Sequence, residues 1–467
     1  MRGRILGLVT AMAAMLGVAH AQAPDASRTA FRAIYEELVE IDTSSAGSCT
    51  RAAEAMAARL RAAGYPQSDL TIVIPEGRPT DGNLIATLRG RNARAGALLL
   101  LAHIDVVDAR REDWARDPFT LVEEDGFFYG RGAADDKAMA AVFVDLLIRL
   151  KQEGFRPRQN IKMALTCGEE TSATVVNGVR YIMERNPQLL RAALAINEGA
   201  GGELDAQGRY IALHVQAGEK IHQQFRLEVV NPGGHSSRPR PDNAINQLSA
   251  GLLRVAAYQF PVELTPAVRE FFRRMAPLTP GETGLAMAAI AANPSDAAAA
   301  ATLAADPSHN AIMRTTCIAT TIEGGHAVNA LPQRARAVLS CRILPGHTPD
   351  EVEAELVRVL NDPGIAVTLA NARQPTPAPP PLSRAVMAPV ERVAARLWPN
   401  VPIVPTMAAG ATDARFLNGA GIAVYGMSGM FAVPGESNAH GLNEKIRVRS
   451  LYEGRDFLEG LVREYAK

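Results

Sequence analysis

Apolar side chains recur every three to four positions at residues 31–39 and 51–63, which predicts two amphipathic helices, the second stopped by Gly64. Residues 83–89 and 97–102 read as strands, and the second is an unbroken apolar run of the kind buried on both faces of a sheet. A helix at 138–150, a short buried strand at 161–166 and another at 191–196 continue the alternation. Strands and helices in this order predict an α/β sheet rather than an all-helical or all-β protein. Polar residues follow each strand at once. His103 and Asp105 end the first long apolar run, Glu169 and Glu170 follow the next, and Glu198 follows the third.

In open α/β sheets the ligand site lies beyond the carboxyl ends of the strands, so these residues are expected in one pocket. The loop 129–137 (YGRGAADDK) adds adjacent carboxylates before the helix at 138, giving four or five carboxylates and a histidine in all. Carboxylates gathered so closely repel one another, and divalent cations are the simplest compensation. Imidazole plus carboxylate suits zinc, and with two ions one carboxylate usually bridges them, for which Asp135 is the natural choice. Only one of Glu169 and Glu170 need bind metal; the neighbour then takes a proton from water that the ions have acidified. Taken singly, the HxD sequence reads as a turn, the glutamate pair as a solvated helix start and the Asp135-Asp136 pair as a helix cap. All of them in order, at strand or loop ends with the spacing of βα units, point to a site.

Composition narrows the setting. Arg2 and Arg4 precede an apolar run at 5–18 and the small residues around His20, which predicts a signal peptide cut near Ala21. That run is shorter than the roughly 20 residues a bilayer span needs, so no stable membrane insertion is expected after cleavage and the mature chain is expected to be periplasmic or secreted. Lysine plus arginine and aspartate plus glutamate balance at 49 each, with no basic cluster, so nucleic acid is not expected as a partner. The four cysteines, Cys49, Cys167, Cys317 and Cys341, are too scattered for a disulfide scaffold or a CxxC zinc site. Cys317 and Cys341 suit either a bond between neighbouring strands or buried thiols. The chain is too long for one core, so two domains are expected.

Four motifs carry a family resemblance that runs from about residue 31 to the C-terminus: 99–107 (LLLAHIDVV), 129–137, 166–171 (TCGEET) and 437–444 (SNAHGLNE). Together they resemble the co-catalytic zinc exopeptidase and amidohydrolase family of glutamate carboxypeptidase, aminoacylase, carnosinase and succinyl-diaminopimelate desuccinylase. The resemblance implies that two metal ions, zinc in the family, are bound by His103 and Glu198 on one side and Glu170 and His440 on the other, with Asp135 bridging. It implies a cis peptide after Asp135, a general base at Glu169, and Asp105 orienting His103 through its second ring nitrogen. Cys167-Gly168 departs from the family, where many members carry Asp just before the glutamate pair; altered packing is expected there, not altered chemistry.

Between the two parts of the site, residues 221–230, 243–258, 312–322, 335–343, 349–360 and 365–369 read as β-α-β-β-α-β, a ferredoxin-like lid inserted into the catalytic domain. The proline-rich stretch 374–381 returns the chain to the catalytic part. The expected division is a leader at 1–21, a first catalytic segment at 28–213, a lid at 214–374 and a second catalytic segment at 375–467. A departure at 264–310 predicts two or three extra helices that cover the site, contact a subunit or pad the lid. The loop 231–237 (NPGGHSS) resembles the family's lid loop, so the resemblance gives His235 an oxyanion contact and Asn329 and Arg342 the substrate carboxylate. Gly410 and Thr412, in GATD at 410–413, resemble its substrate-backbone loop. The expected function is a carboxypeptidase- or dipeptidase-like metallopeptidase acting on small peptides. The alternatives are an aminoacylase-like hydrolase of N-acyl amino acids and a non-catalytic binding protein, and monomer and homodimer both stay open.

Overall fold

The computed structural model of the chain describes residues 25–92, 94–170 and 175–467. The leader expected at 1–21 lies outside the described residues, and no helix among them is long and apolar enough to cross a membrane. The predicted alternation becomes a ten-stranded mixed sheet. Its strands lie in the order Leu70–Val73, Asn83–Leu88, Ile161–Thr166, Leu98–His103, Leu194–Asn197, Ala423–Gly426, Tyr210–Glu219, Gly202–Leu204 and Phe431–Ala432. Ile403–Ala408 pairs in parallel beside Tyr210–Glu219.

Four strands in the middle of the sheet, 161–166, 98–103, 194–197 and 423–426, are mutually parallel, so their carboxyl ends share one edge. The all-apolar run before His103 follows from burial on both faces. Leu98, Leu100 and Ala102 enter the core formed with helices Ala26–Glu40, Cys49–Ala62, Lys137–Gln152 and Val448–Tyr465. Leu99 and Leu101 enter a second core with Val179, Ile182 and Leu417. His103 lies opposite Thr166 in the register, which brings together the residues that follow both strands.

A separate antiparallel sheet has the order Thr316–Gly324, Arg334–Ile343, Ile221–Val230 and Ala366–Leu369, packed under helices Ala244–Ala257 and Pro349–Leu360. Its chain order is the expected β-α-β-β-α-β, but the second strand starts later than expected. Ile312 and Met313 instead end a helix, Pro307–Met313, because Asp306 caps it and Pro307 opens its first turn. A single residue, Lys220, separates the strands of the two sheets, so the expected boundary at 213/214 falls inside strand Tyr210–Glu219.

The departure at 264–310 holds four α-helices rather than two or three: Pro266–Met275, Gly281–Ala292, Ala297–Ala304 and Pro307–Met313. Phe272, Met287 and Leu303 share a core with Ala212, Val404 and Met407 of the central sheet and with Leu344 beside the second sheet. The insertion thus braces the two sheets against each other.

All four cysteines are bonded, Cys49 to Cys167 and Cys317 to Cys341. Cys317 and Cys341 face each other on paired strands, which settles the choice between bond and thiols. No spacing argument predicts the Cys49–Cys167 bond, which spans 118 positions and ties helix Cys49–Ala62 to the strand end before Glu169. The sequence leaves Cys317 and Cys341 open and points to no partner for Cys49 or Cys167, so this second bond is a finding of the structure alone. Titration of the denatured, unreduced protein with a thiol reagent is expected to find no reactive thiol and four after reduction; thiols before reduction would contradict the pairing.

Candidate metal centre

The site gathers at the shared edge of the parallel strands. His103 Nδ1 contacts the main-chain carbonyl of Asp105 at 2.9 Å, which places the ring proton on Nδ1 and leaves Nε2 as the ligand nitrogen. Nε2 lies 3.1 Å from Asp135 Oδ1 and 3.7 Å from Glu198 Oε2. Asp135 turns its other oxygen, Oδ2, to His440 Nε2 at 3.2 Å, and His440 also contacts Glu170 Oε1. Two sets of donor atoms result, His103–Asp135–Glu198 and Asp135–Glu170–His440, each within 4.8 Å. Asp135 belongs to both. Glu169 forms a further such set with His103 and Glu170. The Asp135–Asp136 peptide is cis.

Asp105 meets the second ring nitrogen of His103, as expected, and does more besides. Its carboxylate stands 3.8 Å from His103 Nδ1 and accepts the main-chain N–H groups of Glu169 at 3.2 Å and Glu170 at 3.0 Å. Main-chain contact orients the histidine, and the carboxylate orients the glutamate pair.

Burial pushes Glu169 well above the usual carboxylate range, and the negative charges of Glu198 and Asp413 push it further. Burial also raises Glu198, Asp136 and Asp413. Burial works in the same direction on Asp135, but hydrogen bonds from His103 and His440 outweigh it and hold this carboxyl low. His103 is raised against the effect of its burial because Glu198 and Asp135 face it. Buried acids driven toward protonation are what a bound cation relieves, and two imidazoles with carboxylate oxygens form a zinc-type donor set. The residues therefore fit two divalent ions.

Residues 99–464 match Peptidase family M20/M25/M40. The chain belongs to that family. It is 29% identical over 375 residues to the human N-fatty-acyl-amino acid synthase/hydrolase, covering 78% of this chain and 73% of that protein. It is 26% identical over 383 residues to mouse aminoacylase-1, covering 81% and 82%. The solved M20 family metallo-carboxypeptidase of Sulfolobus solfataricus has the same fold, with a TM-score of 0.68 at 21% identity, covering 95% of this chain and 99% of that one. The protein is thus an enzyme of the M20 metallopeptidase and amidohydrolase class.

Other expected site residues divide in two. Arg342 is half-buried, paired across strands with His222, and close enough to Glu169 and Glu219 for their charges to act on it. Thr412 is held by Glu219, which accepts its N–H at 3.0 Å and its hydroxyl at 2.8 Å, while Asn197 Nδ2 donates to its Oγ1 at 3.1 Å. Gly410 is exposed, with open space where a side chain would stand. His235 and Asn329 are exposed on a small ribbon, Gly234–His235 paired with Ala330–Leu331, outside the contacts that join the carboxylates.

Four contributors escaped the sequence reading. Glu444 accepts the main-chain N–H groups of Gly132 (3.0 Å), Ala134 (2.8 Å) and Asp135 (3.0 Å) and pairs with buried Arg131 at 2.9 Å. Buried Asp413 accepts from Asn177 Nδ2 at 2.6 Å and Thr166 Oγ1 at 3.3 Å. Glu219, which burial pushes up to about 8, and Arg415, whose charge acts on Glu169 and Arg342, complete the wall. Glu444 and Asp413 sit inside recognised motifs, whereas Glu219 carries no local signal. Glu444→Gln keeps the volume and removes the charge opposite Arg131. It is expected to weaken metal binding roughly 10- to 100-fold, read by competition with a chelator, because it loosens the loop that carries Asp135. Unchanged affinity would remove Glu444 from the support of the site.

Proposed function

We propose that the protein is a two-metal amidohydrolase, zinc-dependent and periplasmic or secreted, that releases an amino acid bearing a free carboxylate from its N-acyl group. The observation that carries this reading is the placement of Arg342 and Arg415 where their charges reach Glu169. Two guanidinium groups within electrostatic reach of the candidate base favour a substrate whose departing amine carries an anion. The similarity to the N-fatty-acyl-amino acid hydrolase and to aminoacylase-1 supports an acyl group on the other side of the bond. A cavity of about 310 Å³ beside Asp135 and Glu198, with Met139, Met430 and Phe431 in its walls, offers apolar surface for that group.

His103, Asp135 and Glu198 would hold one ion, and Asp135, Glu170 and His440 the other. Bound divalent ions supply a Lewis acid for the scissile carbonyl and make water acidic near neutral pH. Glu169 takes the proton of the attacking water and passes it to the leaving amine. Asp105 holds Glu169 and Glu170 through their main-chain amides. His235 Nδ1 accepts the N–H of Ser237 at 3.2 Å, so its proton sits on Nε2, ready to be donated to the developing oxyanion when the lid closes. Arg342 and Asn329 hold the substrate carboxylate, and Gly410 and Thr412 border the substrate backbone.

A peptide with a free C-terminal carboxylate would meet the same guanidinium groups, so a carboxypeptidase or dipeptidase activity is the second reading. A non-catalytic binding protein would have no use for Glu169 as a carboxylate beside the ligands.

A panel of N-acyl amino acids, dipeptides and their carboxylate-blocked esters separates these readings. Metal-dependent turnover of N-acyl amino acids with a free carboxylate is expected, with little turnover of the esters; equal turnover of both would sink the carboxylate argument, and turnover of dipeptides alone would favour the second reading. Glu169→Gln is expected to lower kcat about 10²- to 10⁴-fold while two metal ions per chain remain by elemental analysis. Arg342→Ala is expected to raise KM roughly 10- to 100-fold, the worth of a hydrogen bond to a charged group.

A further inference from the structure

Away from the metal centre, a cavity of about 470 Å³ lies among helix Ala244–Ala257, helix Pro349–Leu360 and residues 310–319. Its size is in the range of small-molecule sites, about 300–1,000 Å³. Leu252, Val255, Phe260, Ile318 and Leu356 give it apolar walls, and no acidic side chain lines it. None of its lining residues belongs to the catalytic cluster.

Arg314 also lines this cavity and is only 7% exposed. Its Nη1 donates to Gln259 Oε1 at 2.9 Å and to the Phe260 carbonyl at 3.1 Å. Its Nε–H is buried without a partner, and no ion pair of the described residues involves it. Burial lowers its pKa, and no acid opposes that effect. Asn310, in the same wall, also has a buried and unpartnered side-chain oxygen.

Buried charges in folded proteins are nearly always paired, because an uncompensated one is costly. The contacts of Nη1 would explain a residue that merely anchors segment 259–260. They leave the buried Nε–H and the full positive charge without an answer. The missing partner is an anion, the guanidinium edge suits a planar carboxylate, and the surrounding walls suit hydrocarbon.

We propose that this cavity binds a monocarboxylate with an apolar tail, its carboxylate paired with Arg314 and its tail against Leu252, Val255 and Leu356. The site is separate from the amide hydrolysis proposed above and stands or falls independently of it.

Octanoate and its neutral analogue octanamide are suitable probes, titrated calorimetrically into the metal-loaded protein. One octanoate per chain is expected, with octanamide at least tenfold weaker. Affinity is expected to persist in Arg342→Ala, which disables the catalytic carboxylate contact, and to fall at least tenfold in Arg314→Gln. Ala256→Trp, at an exposed position on the cavity wall, leaves the contacts of Arg314 intact and is expected to block binding while hydrolysis of N-acyl amino acids continues. No saturable binding to the folded wild type, equal binding in Arg314→Gln and Ala256→Trp, or loss in Arg342→Ala would each overturn the proposal.

Discussion

The loop that presents Asp135 belongs to no strand or helix, and the buried carboxylate of Glu444 gives it its shape. Four needs are met by one side chain: the main-chain donors of Gly132, Ala134 and Asp135 find an acceptor, and Arg131 finds its counter-charge. Donors buried without partners would be costly, and hydrogen bonds to an ionised acceptor are the stronger kind. Glu444 lies four positions after His440, so the contact that fixes the Asp135 loop also brings in the last histidine across 309 positions of chain. The two halves of the catalytic part meet at this carboxylate.

Around that anchor, the parallel strands concentrate charge. Strand Leu98–His103 is apolar up to its last residue because it is covered on both faces, so its polar chemistry is displaced to the carboxyl end. Asp105 then sets the glutamate pair through two amide contacts, and Asn177 and Thr166 hold Asp413 behind it. The result is a dense group of buried acids with histidines at two corners, an arrangement that metal ions stabilise and that few other partners would.

The junction of the two sheets is as economical. Glu219 ends a strand of the central sheet and fixes Thr412, and the next residue, Lys220, donates to the carbonyls of Ala311 and Arg314 and to the Thr316 hydroxyl. Adjacent side chains thus hold the loop at Thr412 on one side and the start of the second sheet on the other. The four-helix insertion reinforces the same junction, since its core includes residues from both sides.

The sequence by itself determined the α/β alternation, the order of the His and carboxylate residues that gather at the strand ends, and the β-α-β-β-α-β pattern of the second sheet. These follow from spacing within one element or one loop, where neighbours in the chain are neighbours in space. It did not reveal that Asp105 serves the glutamates as well as His103, that Cys49 bonds Cys167, that the insertion braces two sheets, or that Glu444 and Glu219 support the site. Each of those is a contact between segments with no shared period, and a carboxylate's partner depends on which donors the fold leaves buried around it. Only the tertiary structure decided that.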